Sequence, residues 1–305
     1  MAKRSARVGQ APGFWQRLRA RLPEGMEEKL AQTVLRVLLV TFILVAGYLL
    51  VVEMKSYVMK LERFQVSPST LTFTAMPSWV TPDIRKQLAA VDLPERFSIL
   101  EPGLAHQVAG AYERNPWVET VELVERHFPN RLKVGLTVRQ PAAVVRQRGQ
   151  YYLADSTGVR LPVRFGSWPH PDFPVPIVAG VRAEPPPSGS SWDDEAARAG
   201  CAVAGILQAH GVDRRLAVSA VDVSNFGGRV DRGEPDIVLH TEAGCLIYWG
   251  RSPLRWQPGD GSQTVARKLA YLNYLVGEVE KQRVLLRRLH HVDIRFDRLM
   301  YAGRS

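Results

Sequence analysis

Among the side chains of this 305-residue chain that could do chemistry, the histidines come first. His290 and His291 are adjacent, but neighbouring strand positions face opposite sides, which argues against a shared metal ion. His106, His127, His170, His210 and His240 fall into no HExxH or paired-cysteine pattern. Cys201 and Cys245 can be a bridge in an oxidising compartment or two buried thiols, and their spacing leaves both open. Asp193 and Asp194 resemble a paired acid and base. With Glu195 they also open a helical stretch, where the helix dipole favours anions, and that reading explains all three. The segment "GRSPLRWQPGDGSQT" is glycine-rich and basic, but it lacks the GxxxxGK[ST] spacing that cradles phosphate. It reads as a surface loop ahead of a helix. No GxSxG elbow is present. Lys281, Arg283, Arg287 and Arg288 could attract anionic lipid or nucleic acid, yet cations suit a helix C-terminus equally well. The expectation is a protein with no catalytic residues, no metal, no cofactor, no small-molecule substrate and no nucleic-acid partner.

The elements around these residues carry more information. The net charge is +10, and its position matters more than its size. Lys3, Arg4, Arg7, Arg17, Arg19, Arg21 and Lys29 crowd the first thirty residues, opposed only by Glu24, Glu27 and Glu28. "LAQTVLRVLLVTFILVAGYLLVV" follows, from Leu30 to Val52. As a helix it would measure about 34 Å, enough to cross a ~30 Å hydrocarbon core. Arg36 can snorkel toward the basic end. The run is apolar on every face, unlike a core helix, and "VVEMKSYVMK" offers no small-residue cleavage site. The expectation is an uncleaved anchor in the lipid bilayer, with Val37, Leu44, Tyr48 and Leu50 among its lipid-facing residues. Positive charge before the span puts the N-terminus in the cytoplasm and the rest of the chain outside it.

Beyond the span the pattern alternates between helix and strand. Thr81 and Pro82 start a helix carrying Ile84, Leu88 and Val91 at helical spacing. Leu104, Val108, Ala111 and Tyr112 mark a second helix, which Asn115-Pro116 ends. "WVETVELVER" and "RLKVGLTVR" read as strands about a Phe128-Pro129-Asn130 turn. An initial strand over 63–67 completes a β-α-α-β-β unit. Next come a strand pair about an Asp155–Gly158 turn, a proline-rich stretch holding a short strand, and a helix opening at Asp193. A hairpin about Glu242-Ala243-Gly244 and a helix from Gln263 to Leu286 follow. The final segment "HHVDIRFDRLMY" would turn Val292, Ile294 and Phe296 to one face and Asp293, Arg295 and Asp297 to a wet one.

Several of these motifs together resemble the FtsQ/DivIB family of bitopic bacterial cell-division proteins. "NPWVETVELVERHFPNRLKVGLTVRQPAAV" is similar to the end of that family's POTRA domain, through Pro116, Trp117, Val118, Arg126, Pro129, Pro141 and Ala142. "YYLADSTGVRLP", "FPVPIVAGV" and "VDIRFD" resemble segments of its β-domain, in the same order. The resemblance implies an α+β protein. Its parts would be a cytoplasmic tail (1–29), one N-terminal transmembrane helix (30–53) and a POTRA-like β-α-α-β-β domain (58–139). A mixed β-domain with flanking helices (140–301) and a short tail (302–305) would complete it. "PSTLTFTAMPSW" replaces the family's short Gly-Asn turn and leaves the pairing of the first POTRA strand open.

The resemblance implies a non-catalytic scaffold of the division complex in the cell inner membrane, with a periplasmic C-terminal region. Its β-domain would bind membrane proteins of the FtsB/FtsL type. The alternative is a POTRA-containing envelope assembly or secretion factor that handles exported polypeptides. A terminal strand tends to sit at a sheet edge, where unpaired backbone groups can accept a partner strand. Phe296, Arg298, Met300 and Tyr301 are therefore the candidate partner-binding residues.

Overall fold

The computed structural model describes residues 26–257, 263–282 and 284–304. The expected tail cations Lys3, Arg4, Arg7, Arg17, Arg19 and Arg21 lie outside the described residues, as does Arg283. Helix α1 (Met26–Lys60) has 35 residues and spans about 52 Å at ~1.5 Å per residue. It outlasts the apolar run and continues through "EMKSYVMK". From Glu28 to Lys55 every side chain is exposed. Its two threonine hydroxyls bond within the helix. Thr33 Oγ1 donates to the Lys29 carbonyl at 2.7 Å and Thr41 Oγ1 to the Val37 carbonyl at 2.8 Å, as an apolar solvent requires.

Strand β1 (Gln65–Val66) and strand β2 (Leu71–Phe73) follow, then α2 (Pro82–Ala89), β3 (Phe97–Ser98) and α3 (Leu104–Glu113). Thr81 Oγ1 accepts from the Ile84 amide at 3.3 Å, and Pro82 occupies the first turn of α2. Leu104, Val108, Ala111 and Tyr112 are the buried stripe of α3, as the helical spacing implied. Strands β4 (Val118–His127) and β5 (Arg131–Val138) pair antiparallel. The first strand differs from expectation. Residues 65–66 leave this sheet and pair with β3, while β2 lies parallel to β5. A single turn at Pro68–Thr70, closed by the Ser67 amide on Thr70 Oγ1, redirects the chain between them. Leu71 and Phe73 can then reach the core, where the Phe73 ring meets Tyr112 edge-on at 5.8 Å. The open pairing around "PSTLTFTAMPSW" is thereby resolved.

The rest of the chain builds a nine-stranded mixed sheet. Its members are β6 (Pro141–Gln147), β7 (Gln150–Asp155), β8 (Arg160–Phe165), β9 (Ile177–Ala179), β10 (Val218–Asp222), β11 (Ile237–Thr241), β12 (Leu246–Gly250), β13 (Leu289–Asp293) and β14 (Met300–Gly303). The spatial order is β14-β13-β12-β11-β10-β9-β6-β7-β8. Helix α4 (Glu195–Ala209) covers one face, with the short α5 (Val212–Arg215), α6 (Val265–Lys281) and α7 (Leu285–Arg288). The last long helix was expected to reach Leu286. Gln282 leaves helical dihedrals instead (φ −130°, ψ 84°), and α7 starts a new turn that buries Leu286.

Strand alternation on β6 and β7 sorts side chains into two cores. Ala143, Val145 and Ala154 pack with α4, whereas Val144 and Leu153 pack with Trp117, Leu104 and Val108. Leu161 on β8 joins the second group. Close approach of α4 rests on small residues. A Cβ at Gly200 would lie 2.5 Å from Val178 Cγ1. Among the described residues the protein is α+β, with one long apolar N-terminal helix and a large mixed sheet.

Candidate interaction site

The C-terminal hairpin holds the predicted partner-binding residues, but not all in a strand. The single expected strand over 290–301 is two strands, β13 and β14, paired antiparallel. Val292 faces Tyr301 and Asp293 faces Met300 across the pair. Residues 294–299 connect them, so Phe296 and Arg298 sit on the connection while Met300 and Tyr301 sit on β14. β14 is an edge of the nine-stranded sheet. Tyr301 is 69% exposed, Phe296 47% and Met300 37%, and Arg298 is also exposed.

Asp293 was expected on a wet face and is only 4% exposed. The strand ends there and the chain bends, so alternation no longer governs the following residues. A buried carboxylate needs compensation. Arg295 supplies it: its Nη2 donates to Asp293 Oδ2 at 2.7 Å, and its backbone amide donates to Oδ1 at 2.9 Å. That hydrogen bond in turn raises the pKa of Arg295, whose guanidinium lies 5.1 Å from the Phe296 ring centre. Further bonds hold the connection to α6. Tyr271 Oη and Arg267 Nη2 donate to the Asp297 carbonyl, and Gln263 Nε2 donates to Asp297 Oδ1 at 2.7 Å. The far end of β14 is tied down by Arg304, whose Nη2 donates to the Gly244 carbonyl at 2.6 Å. The edge is thus presented on a fixed support.

Beside the hairpin lies a cleft of about 850 Å³ lined by Arg232, Trp249, Arg255, Lys268, Arg295 and Phe296 among others. Lys268 Nζ stands 4.9 Å above the Trp249 ring and donates to the Arg251 carbonyl at 3.4 Å. The basic loop read from "GRSPLRWQPGDGSQT" forms part of its wall. Thr264 caps α6 by accepting from the Arg267 amide, while residues 258–262 lie outside the described ones.

The remaining candidates resolve as follows. Asp194 caps α4, its Oδ1 accepting from the Ala196 amide at 2.8 Å, and Glu195 pairs with Arg255. Cys201 and Cys245 are free and buried, and burial pushes the Cys245 thiol up to about 11. The Cys201 thiol is raised too, first by burial and then by Asp155. No group of three or more histidines, cysteines and acids is placed to hold a metal ion among the described residues. His290 and His291 do not face apart, however. Their Nδ1 atoms are 3.3 Å from each other. Register slips between Leu289 and His291, leaving His290 as an extra residue on β13. Such a bulge re-aims a side chain, which alternation alone does not foresee.

The anchor residues Val37, Leu44, Tyr48 and Leu50 are all more than half exposed on α1. Nothing within the described chain covers them, so their burial has to come from a surrounding apolar medium.

No family model matches the chain. The cell division protein FtsQ of an Anaeromyxobacter species (strain K) is 28% identical over 178 residues, which is 58% of this chain and 54% of that protein. The cell division protein FtsQ of Geotalea daltonii is 35% identical over 71 residues, 23% of this chain and 24% of that protein. The chain therefore matches about half the length of the first relative and a quarter of the second.

Proposed function

We propose, from the premise that this chain belongs with the FtsQ cell-division proteins, that it is a non-catalytic, single-pass membrane scaffold of the division machinery. The basic N-terminal residues stay in the cytoplasm, α1 crosses the inner membrane, and the sheets lie in the periplasm. The POTRA-like part runs from 58 to 139 and the β-domain from 140 to 301. The observation that carries the reading is the exposed edge strand β14, supported by Arg304 and by the contacts of Arg267 and Tyr271 on α6 with Asp297. An edge of this kind offers free backbone groups to a partner strand, while Tyr301, Met300, Arg298 and Phe296 supply side-chain selectivity. The partners are membrane proteins of the FtsB/FtsL type.

The test uses the full chain in lipid nanodiscs and the partner's exported segment in a calorimeter. Phe296→Ala with Tyr301→Ala should weaken binding by at least ~10-fold, about 1.4 kcal/mol, and removal of Leu299–Ser305 should abolish it. Wild-type affinity in a double variant with an unchanged circular dichroism spectrum would refute the assignment.

A further inference from the structure

The two adjacent histidines on β13 hold a geometry that the division role does not use. His291 lies on the open face of the sheet, its ring stacked on Tyr248 at 4.7 Å and 11°. That stacking fixes the ring plane. His290, carried by the bulge, is exposed and turns its Nδ1 to within 3.3 Å of the Nδ1 of His291. The two ring planes cross at 84° with centres 5.6 Å apart. In the contact as it stands one ring donates an N–H and the other accepts. The same spacing suits a metal edge: two nitrogens each ~2.0–2.1 Å from a tetrahedral ion are about 3.3–3.4 Å apart. A rotation of the exposed His290 ring is enough to make the two lone pairs converge.

We propose that His290 and His291 form a bidentate surface site for a divalent transition ion of the Zn²⁺ or Ni²⁺ class. Neutral imidazole nitrogen is a favoured ligand for these ions. The ion takes the lone pairs of both Nδ1 atoms, the proton that one Nδ1 carried passes by exchange with solvent to the Nε2 of the same ring so that both imidazoles stay neutral, and water fills the other positions. Tyr248 acts as a positioning residue that holds the His291 ring by stacking. The site lies one strand in from the edge, since His291 pairs with Ala302 of β14.

The probe is Zn²⁺ or Ni²⁺ alone, titrated by calorimetry into the full, tag-free chain in detergent micelles. Wild type should bind one equivalent. His290→Gln and His291→Gln should each weaken binding at least ~10-fold, and the double variant should show no saturable site. His240→Gln is the control, because His240 sits on β11, in register with His291 but two strands from it, and has Asp222 at 3.6 Å. Its affinity should be unchanged. Absence of saturable binding by wild type, or binding by His290→Gln as tight as wild type, would overturn the proposal and leave the pair as a hydrogen bond alone. His290 is exposed, so its variant should fold, and a circular dichroism spectrum checks this.

Discussion

Trp117 shows how a single side chain joins chemistry to packing. Its ring is fully buried, and it sits with Leu104 and Val108 as its position after a helix stop implied. Burial alone would strand its indole N–H. Gln87 on α2 resolves this by accepting from Nε1 at 2.7 Å, and Asn115 Oδ1 accepts from the Trp117 backbone amide at 3.0 Å. Trp117→Ala should then cost about 3–5 kcal/mol, the range for truncating a buried aromatic. Trp117→Phe keeps most of the buried area but abandons Gln87 and leaves a smaller void, so about 1–3 kcal/mol is expected. Denaturant unfolding of the full chain in micelles, followed by fluorescence, measures both. A loss under about 1 kcal/mol for the alanine variant would show that the ring's contacts are not what hold this core. Asp155 is a harder case for sequence reading. It was legible as a turn residue, but not as a buried anion. Its carboxylate accepts from Arg139 Nη1 at 2.8 Å and from the Thr157 and Val159 amides, and only the fold brings Arg139 to it.

Helix α1 yields the clearest prediction about a single element. Thr33 and Thr41 bond within the helix, and its flanking charge is asymmetric, so one orientation in the bilayer is favoured. A reporter active only outside the cytoplasm should work when fused after Ser305 and fail when inserted before Leu30. The reverse pattern would sink the proposed orientation. Elements with strong periodicity were legible in this way. The α3 stripe, the β4–β5 pair and the hairpin around Gly244 all follow from spacing and turn chemistry. Short elements were not. β2 has only three residues, too few for alternation to stand out, and its parallel partner β5 is some sixty residues away. The two-strand ending was missed for a related reason. "VDIRFD" alternates without a break, and only Asp293 turning inward onto Arg295 ends the strand. The adjacent histidines were misjudged because a bulge is a property of two paired strands, and one strand's sequence does not contain it.

The two cores meet across the first strands of the nine-stranded sheet, and this decides how the region after α1 responds to mutation. The expected boundary at residue 139 closes a complete small domain with a modest core of its own. Leu153, Val144 and Leu161 share one buried cluster with Trp117 and the α3 residues Leu104 and Val108, while their strand neighbours Ala143, Val145 and Ala154 belong to the cluster that holds α4. A β-sheet with both faces buried couples whatever packs on either side, because neither layer can leave without exposing apolar surface. The Arg139–Asp155 ion pair, with both side chains largely buried, reinforces the same junction. Leu153→Ala is therefore expected to cost about 2–5 kcal/mol. More tellingly, it should speed hydrogen exchange in α2 and α3 as well as in β6–β8, since local stability follows cooperative units. Exchange measured by mass spectrometry on the full chain checks this. Faster exchange confined to β6–β8, with α2 and α3 protected as in wild type, would mean that the upstream unit folds independently and that residue 139 is a true boundary. Exchange raised in both would mean that the two cores open as one cooperative unit.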